Sequence, residues 1–170
     1  MITKKVMVVP YDCTWPHAFK KIKRELLSVI GEDIIAIEHV GSTSVEELFA
    51  KPIIDIDVVI PNYDCFEIIV EKLSEIGYQH EGNLGIKDRE AFKYTDKAHL
   101  RKHHLYVCPK DSEELKRHLV FRNYLRTHPE DVAEYSKIKQ EAAALYPADI
   151  DAYLAYKSPC IEKIYKKCGL

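Results

Sequence analysis

A chain of 170 residues, 46% hydrophobic and 31% charged with 6 glycines and 8 prolines, has the make-up of one folded domain, or of a core with a small appendage. That composition excludes a disordered or fibrous chain, and a formal net charge of −2 gives no global reason to expect specific nucleic-acid binding. No apolar run approaches the roughly 18–20 residues that cross a bilayer, so no membrane association is expected.

Met1–Pro10 carries Lys4 and Lys5, but its apolar stretch is too brief for a signal peptide. Cys13, Cys65, Cys108, Cys160 and Cys168 are scattered and form no C-x-x-C. Reduced thiols in a cytoplasm are the simplest expectation. Charge is distributed unevenly. Residues 1–85 hold 8 basic and 14 acidic side chains, and the basic excess of the second half begins at Lys87–Lys102. That stretch reads either as a solvated face or as a cationic wall for an anionic ligand.

Asp12 or Thr14 is placed to cap a first helix, with Pro16 in its first turn. Phe19, Ile22, Leu26, Val29 and Ile30 recur at helical spacing, and Gly31 ends the run. Ile34–Val40 reads as a strand, and Gly41-Ser42-Thr43 as the turn after it. Ser44 and Glu47 have the spacing of a capping box, which predicts a short helix from Ser44 to about Phe49. Ile53–Ile60 is the strongest strand, with Ile53, Asp55, Asp57 and Val59 on one face. A helix capped by Asp64 follows, carrying Phe66, Ile69, Val70, Leu73 and Ile76, and Gly77 stops it.

Three extended segments come next: Tyr78–Glu81, about 91–94 and about 103–108. Asp111 and Glu114 suggest a cap for a helix over Leu115, Leu119, Arg122 and Leu125, which His128-Pro129 breaks. A second helix covers about 130–145. A third starts near Asp149, and Ser158-Pro159 is expected to restart it as a fourth. The pattern is not a regular βαβα alternation. It predicts an α+β fold with a mixed sheet: a core at 1–108 and a helical tail at 109–170 packed on it, together one unit over 1–170.

Asp55 and Asp57 are the most informative residues. At i and i+2 on a strand their Cβ atoms lie about 6–7 Å apart on one face, close enough to share one divalent cation or a pair. Two carboxylates in so apolar a strand are costly to bury without a metal, a basic partner such as Lys51 or Arg89, or solvent in a cleft. Gly41 lets a phosphate approach the backbone, Ser42 offers a hydroxyl, and a helix start after them would suit an anion. Lys51 and Arg89 are candidate phosphate contacts. His103 and His104 are neighbours on a strand, so only one of them can join the aspartates. No Walker A, G-x-G-x-x-G or G-x-S-x-G occurs.

A Gly-Ser turn 13 residues before an Asp-x-Asp strand resembles the hallmark of the nucleotidyltransferase superfamily of DNA polymerase β type. The wider text is similar to the GrpB family. The matching residues are His39-Val40-Gly41-Ser42-Thr43-Ser44-Val45, Leu48 and Ala50–Ile56, then Arg89 with Phe92 and His103-His104-Leu105. His118-Leu119, Phe121–Arg126, His128-Pro129 and Tyr135 continue the likeness, which spans about Val9 to Tyr165.

The resemblance implies a nucleotidyltransferase fold and metal-assisted transfer of a nucleotidyl group from an NTP to an unknown acceptor. Asp55 and Asp57 would hold Mg²⁺ or Mn²⁺, with His104 as third ligand or base. Gly41, Ser42 and Thr43, with Lys51, Arg89 and His103, would hold the nucleotide or another phosphorylated small molecule. Two metals would activate the attacking oxygen and stabilise the pyrophosphate. Similar domains occur fused to dephospho-CoA kinase, which also allows a protein partner.

One departure matters. Active members of the superfamily usually take a third carboxylate from a later strand, and His103-His104-Leu105-Tyr106-Val107 offers none. The family pattern has His where Tyr106 stands. His104 replaces the acid, or Glu38 or Glu90 substitutes, or the third ligand is missing. The alternatives to a transferase are therefore a non-catalytic nucleotide- or partner-binding module, and a metal-dependent phosphohydrolase.

Overall fold

The computed structural model describes residues 5–170; Lys4 lies outside them. Helix α1 runs Trp15–Ile30 and strand β1 Ala36–Val40. Strand β2 is Ile54–Ile60, helix α2 Phe66–Glu75 and strand β3 Tyr78–His80. Strand β4 is Glu90–Tyr94 and β5 is His103–Pro109. Helices α3 (Glu113–Arg126), α4 (Pro129–Leu145) and α5 (Ile150–Lys167) complete the chain. The class is the α+β fold that the element pattern implies, built on a mixed sheet of order β1-β2-β5-β4-β3.

Only β2 and β5 run parallel; the other neighbours are antiparallel. Alternation along β2 then divides the molecule. Ile54, Ile56, Val58 and Ile60 face the main core, where Ile22, Leu26 and Ile30 of α1 and Ile69 and Leu73 of α2 meet them. Asp55, Asp57 and Val59 face the other side, where Val59 packs with Leu115 and Leu119 of α3. A further cluster joins Val45 and Leu48 to Leu125, Tyr135, Cys160 and Ile164, tying the helices to the loop after β1.

Four local expectations are corrected. Ser42–Ser44 is a single 3₁₀ turn, and no helix runs from Ser44 to Phe49. Ser44 Oγ donates to the Gly41 carbonyl at 2.5 Å, and Glu47 sits at φ 67°, a left-handed conformation that ends any helical run. A helix start is thus not what faces the cleft here. Asn62, not Asp64, caps the turn into α2, accepting from the Asp64 N–H at 2.8 Å. Ser112, not Asp111, caps α3, accepting from the Leu115 N–H at 3.2 Å. Pro159 lies inside α5 without dividing it. One backbone bond is lost there, but Tyr153 on one side and Cys160 and Ile164 on the other are buried, and that packing holds both halves in line.

Candidate functional site

The face of β2 that carries the aspartates opens into a cleft of about 520 Å³ between the sheet and the helices that follow it. The parallel register sets Asp55 beside His104 and Asp57 beside Tyr106. His104 Nδ1 lies 2.9 Å from Asp55 Oδ1 at the exposed lip. Asp57 is fully buried, and His118 of α3 donates from Nδ1 to its Oδ2 at 2.6 Å. The other nitrogen of His118 lies 3.2 Å from Glu114 Oε1, one helical turn earlier. Asp57 Oδ1 is buried with no hydrogen-bond partner. Burial pushes the Asp57 carboxyl up, with the bond from His118 opposing. Burial works against a charged His118 too, but its bond to Asp57 and the charges of Asp57 and Glu114 outweigh that and raise it.

Gly41 lies across from Asp55 at φ 72°. A Cβ there would come within 3.0 Å of Asp55 Cβ and Cγ and closer still to Oδ2, so only glycine fits. The turn is braced at both ends from α3. Arg122 donates to the His39 carbonyl at 3.0 Å and to Glu38 Oε2 at 2.8 Å. Arg126 donates to the Ser44 carbonyl from two nitrogens, at 3.0 and 2.9 Å. Thr43 is buried, its Oγ1 2.9 Å from His39 Nε2. His39 in turn stacks on Phe19 at 4.8 Å, and burial lowers its pKa to about 4.

Three lysines from separate elements converge on the cleft: Lys51 before β2, Lys139 on α4 and Lys157 on α5. Lys139 Nζ donates to Ser42 Oγ and, at 3.2 Å, to the Phe49 carbonyl. Burial, reinforced by the charge of Lys157, holds Lys139 well below the usual lysine range. Lys157 is lowered to about 8 by burial and by Lys51, with Asp55 opposing. Lys51 is lowered by burial as well. The cleft thus gathers three amines whose charged forms burial disfavours, and an incoming anion would favour those forms.

Most of the residues singled out in the sequence meet here: Gly41, Ser42, Thr43, Lys51, Asp55, Arg89 and His104 all line the cleft. His103 does not. It points to the opposite face, buried, with Nε2 2.7 Å from Tyr78 Oη, Nδ1 2.7 Å from the Arg101 carbonyl and its ring stacked on Tyr94. Of the two proposed substitute acids, Glu38 stands opposite Asp57 across β1 and β2. Glu38 is held by Arg122, and Glu90 is paired with Val107, on the core-facing side of β5, and lies 3.1 Å from His80. Beside Asp57 stands Tyr106, with the Arg89 guanidinium 4.3 Å from its ring centre. Glu114, His118, Lys139 and Lys157 were not legible as cleft residues, because α3, α4 and α5 deliver them from far along the chain.

Among the described residues, no group of three or more His, Cys, Asp or Glu side chains converges as a metal cluster. The donor set still fits a hard divalent cation. Mg²⁺ is characteristically held by one or two carboxylates, with substrate phosphates completing its shell. Asp57 Oδ1 is a buried acceptor in want of a partner, and Asp55 is beside it on the same face.

The profile of the family described as GrpB protein matches residues 5–167. The chain belongs to the GrpB family. A crystal structure of GrpB from Enterococcus faecalis superposes with a TM-score of 0.84 at 32% identity, covering 95% of this chain and 96% of that one. The UPF0157 protein YqkA of Bacillus subtilis is 35% identical over 159 residues, 94% of this chain, but the match spans only 46% of YqkA's length. The Cid1 poly(U) polymerase, in a crystal structure with MgGTP bound, shares the fold. Its TM-score is 0.50 at 12% identity, over 78% of this chain and 45% of that one. The GrpB chain therefore has a nucleotidyltransferase-like fold. No helix among its described residues is long and apolar enough to cross a membrane.

Proposed function

We propose that this GrpB chain binds a nucleoside triphosphate with Mg²⁺ or Mn²⁺ and transfers its nucleotidyl group to an acceptor hydroxyl. The observation that carries this reading is the convergence of Lys51, Lys139 and Lys157 with Asp55 around the Gly41-Ser42 turn, with Asp57 buried on the same face of β2. The metal, held by Asp55 and Asp57, would supply positive charge against the transferred phosphoryl group.

Lys51, Lys139 and Lys157 hold the phosphates, with Ser42 and Arg89 adding donors. Gly41 keeps the turn close to Asp55. His104, with Nδ1 toward Asp55, takes the acceptor's proton at Nε2. The acceptor oxygen bonds to the α-phosphorus, the bond to pyrophosphate breaks, and pyrophosphate leaves along the lysines. The sheet core and the helices after it act as one unit in this reading, since both line the cleft. Five cysteines, all free among the described residues, suit a reducing cytoplasm.

A specific observation favours a second reading. Arg89 and Tyr106 stand next to Asp57, where an active superfamily member would be expected to offer an acid. That substitution suits a module that binds nucleotide without turning it over.

Calorimetry with ATP, GTP, CTP and UTP, with and without Mg²⁺ or Mn²⁺, tests both readings. Metal-dependent binding that disappears in Asp55→Ala supports the site, and pyrophosphate release on adding acceptor candidates separates transferase from module. Orthophosphate release instead would identify a phosphohydrolase. No binding of any nucleotide, or binding unchanged in Asp55→Ala, overturns the proposal.

A further inference from the structure

The aspartate face of β2 offers few free carboxylate oxygens. His104 Nδ1 lies 2.9 Å from Asp55 Oδ1, and His118 Nδ1 lies 2.6 Å from Asp57 Oδ2. What remains is Asp57 Oδ1, buried without a partner, and Asp55 Oδ2, the atom turned toward Gly41. Glu114, the other acid lining the cleft among the described residues, lies 3.2 Å from the second nitrogen of His118. Glu38 is opposite Asp57 on β1, but Arg122 donates to its Oε2 at 2.8 Å, and it lines the hollow beside α1 and not the cleft. A pair of cations about 3.5–4 Å apart needs carboxylates whose two oxygens can be shared between them. One free oxygen on each aspartate suits one cation.

On the other side of Asp57 the chain places an aromatic ring and an arginine. Tyr106 of β5 is level with Asp57, and Ala91 of β4 is level with Tyr106. Arg89 is two residues before Ala91 and enters on the same face of the sheet, where it lines the cleft. Asp88 makes the turn into the strand, at φ 57°, with Oδ1 accepting from Tyr63 Oη at 3.2 Å. The Arg89 guanidinium lies over the Tyr106 ring, 4.3 Å from its centre. Stacking fixes the group but uses none of its N–H donors. Nε is buried without a hydrogen-bond partner, and no carboxylate lies within ion-pair distance of Arg89 among the described residues. Its charge still acts on Asp57 and Tyr106.

An acceptor, Asp57 Oδ1, and a donor, Arg89 Nε, are thus left unsatisfied beside each other's strands. Buried polar groups of this kind are costly unless something completes them. The carboxylate calls for a cation, and the guanidinium calls for an anionic oxygen.

We propose that the cleft takes a single divalent cation, at Asp55 and Asp57, and that the Arg89 guanidinium stands in place of a second one, donating to an oxygen of the α-phosphoryl group. That the oxygen belongs to an α-phosphoryl group rests on the nucleotidyl-transfer reading; the number of cations does not. Arg89 keeps its proton at any ordinary pH, so it steadies charge on the phosphoryl oxygens and leaves the acceptor's proton to His104.

Counting Mn²⁺ tests this. The protein is dialysed to equilibrium against Mn²⁺ and the α,β-methylene analogue of whichever triphosphate binds, and the ion and analogue retained per chain are measured. One ion per chain is expected, and Asp55→Ala should lose it. Arg89→Ala should keep the ion and weaken the analogue about tenfold, with a smaller loss in Arg89→Lys. Tyr106→Asp/Arg89→Ala, which sets a carboxylate beside Asp57 and removes the fixed charge, should take up a second ion, and retention of the first shows that the variant is folded. Two ions in the wild type overturn the proposal and leave the transfer reading standing; a fall to one in Glu38→Gln would then name Glu38 as a ligand of the second. Unchanged analogue affinity in Arg89→Ala, or a double variant that still holds one ion, overturns the role of Arg89. No ion retained by the wild type removes the transfer reading itself.

Discussion

His118 reaches back 61 residues along the chain to place Nδ1 2.6 Å from Asp57 Oδ2, the only hydrogen bond that this fully buried carboxylate makes within the described residues. Removing one member of such a pair leaves the other buried and uncompensated. His118→Ala should therefore destabilise the protein by about 3 kcal/mol near neutral pH, measured by urea unfolding. The double variant Asp57→Asn/His118→Ala should lose clearly less than the sum of the losses in Asp57→Asn and His118→Ala. If the two single losses simply add, the pair is not coupled and Asp57 is held by something else.

His39 contributes to the acid side of the stability curve, as does His103, whose pKa burial also lowers. Buried against Phe19, His39 has a pKa that falls from 6.5 to about 4. The folded state therefore holds fewer protons than the unfolded state between those values, and stability rises with pH through that window. Acidification from about pH 6.5 to 4 should cost roughly 3 kcal/mol from this residue alone. His39→Gln should flatten that limb in unfolding curves taken across the window. An unchanged acid limb in the variant would mean that other groups make it.

How much of this was legible in the sequence depends on the range of the signal. The shared face of Asp55 and Asp57, and the rule that only one of His103 and His104 could join them, follow from the two-residue period of a strand. The register of β2 against β5 then made the choice, turning His104 to the aspartates and His103 to Tyr78 and Tyr94. The Ser44-Glu47 spacing misled, because the chain needs a left-handed residue at Glu47 to leave the turn, and a local motif carries no trace of that. Lys139 meets Ser42 across 97 residues. Its neighbours Lys137 and Gln140 are exposed, and nothing local distinguishes Lys139 from a surface lysine. Arg122 was visible as a helix position and, with Arg126, as part of a family text; their work on the two ends of the Gly-Ser turn is a tertiary fact.

Lys157 should give nucleotide binding a pH signature. Burial and Lys51 bring its pKa to about 8, so the unliganded protein loses this charge as pH rises past that value. In the free protein stability then rises with pH from about 8 to 10.5, because the folded state prefers the neutral amine. A bound polyphosphate reverses the preference. Affinity for Mg-ATP should fall between about pH 7 and 9, with proton uptake on binding measurable by calorimetry in buffers of different ionisation enthalpy. Lys157→Arg, which stays charged, should level the profile. A wild-type profile already flat over that range would remove Lys157 from the phosphate site.

Lys139 should trade stability for binding. Its amine is buried among Ser42, Phe49 and the Tyr135 ring, with no carboxylate within ion-pair range among the described residues. Lys139→Met keeps the aliphatic length and removes the cost of burying the charge. The variant should be more stable by about 1–2 kcal/mol, read from the urea midpoint. Its nucleotide affinity should drop about tenfold or more, the loss expected for one charge-assisted phosphate contact. A variant that is less stable and binds normally would make Lys139 a structural brace of the turn.

Gly41→Ala tests the turn itself. The backbone there sits at φ 72°, where a side chain is strained, and the added methyl would collide with the Asp55 carboxylate. Asp55 must swing or the turn must open, and either movement separates the aspartate from Ser42. The expected outcome is a loss of about 2 kcal/mol in stability, together with loss of metal-dependent nucleotide binding. Ala at Gly82 makes the comparison clean. Gly82 also has a positive φ, 84°, but a Cβ there meets nothing within 4 Å, so the strain is shared and the collision is not. Gly82→Ala should lower stability while leaving binding intact. Equal binding losses in both variants would attribute the effect to general destabilisation and not to the contact between Gly41 and Asp55.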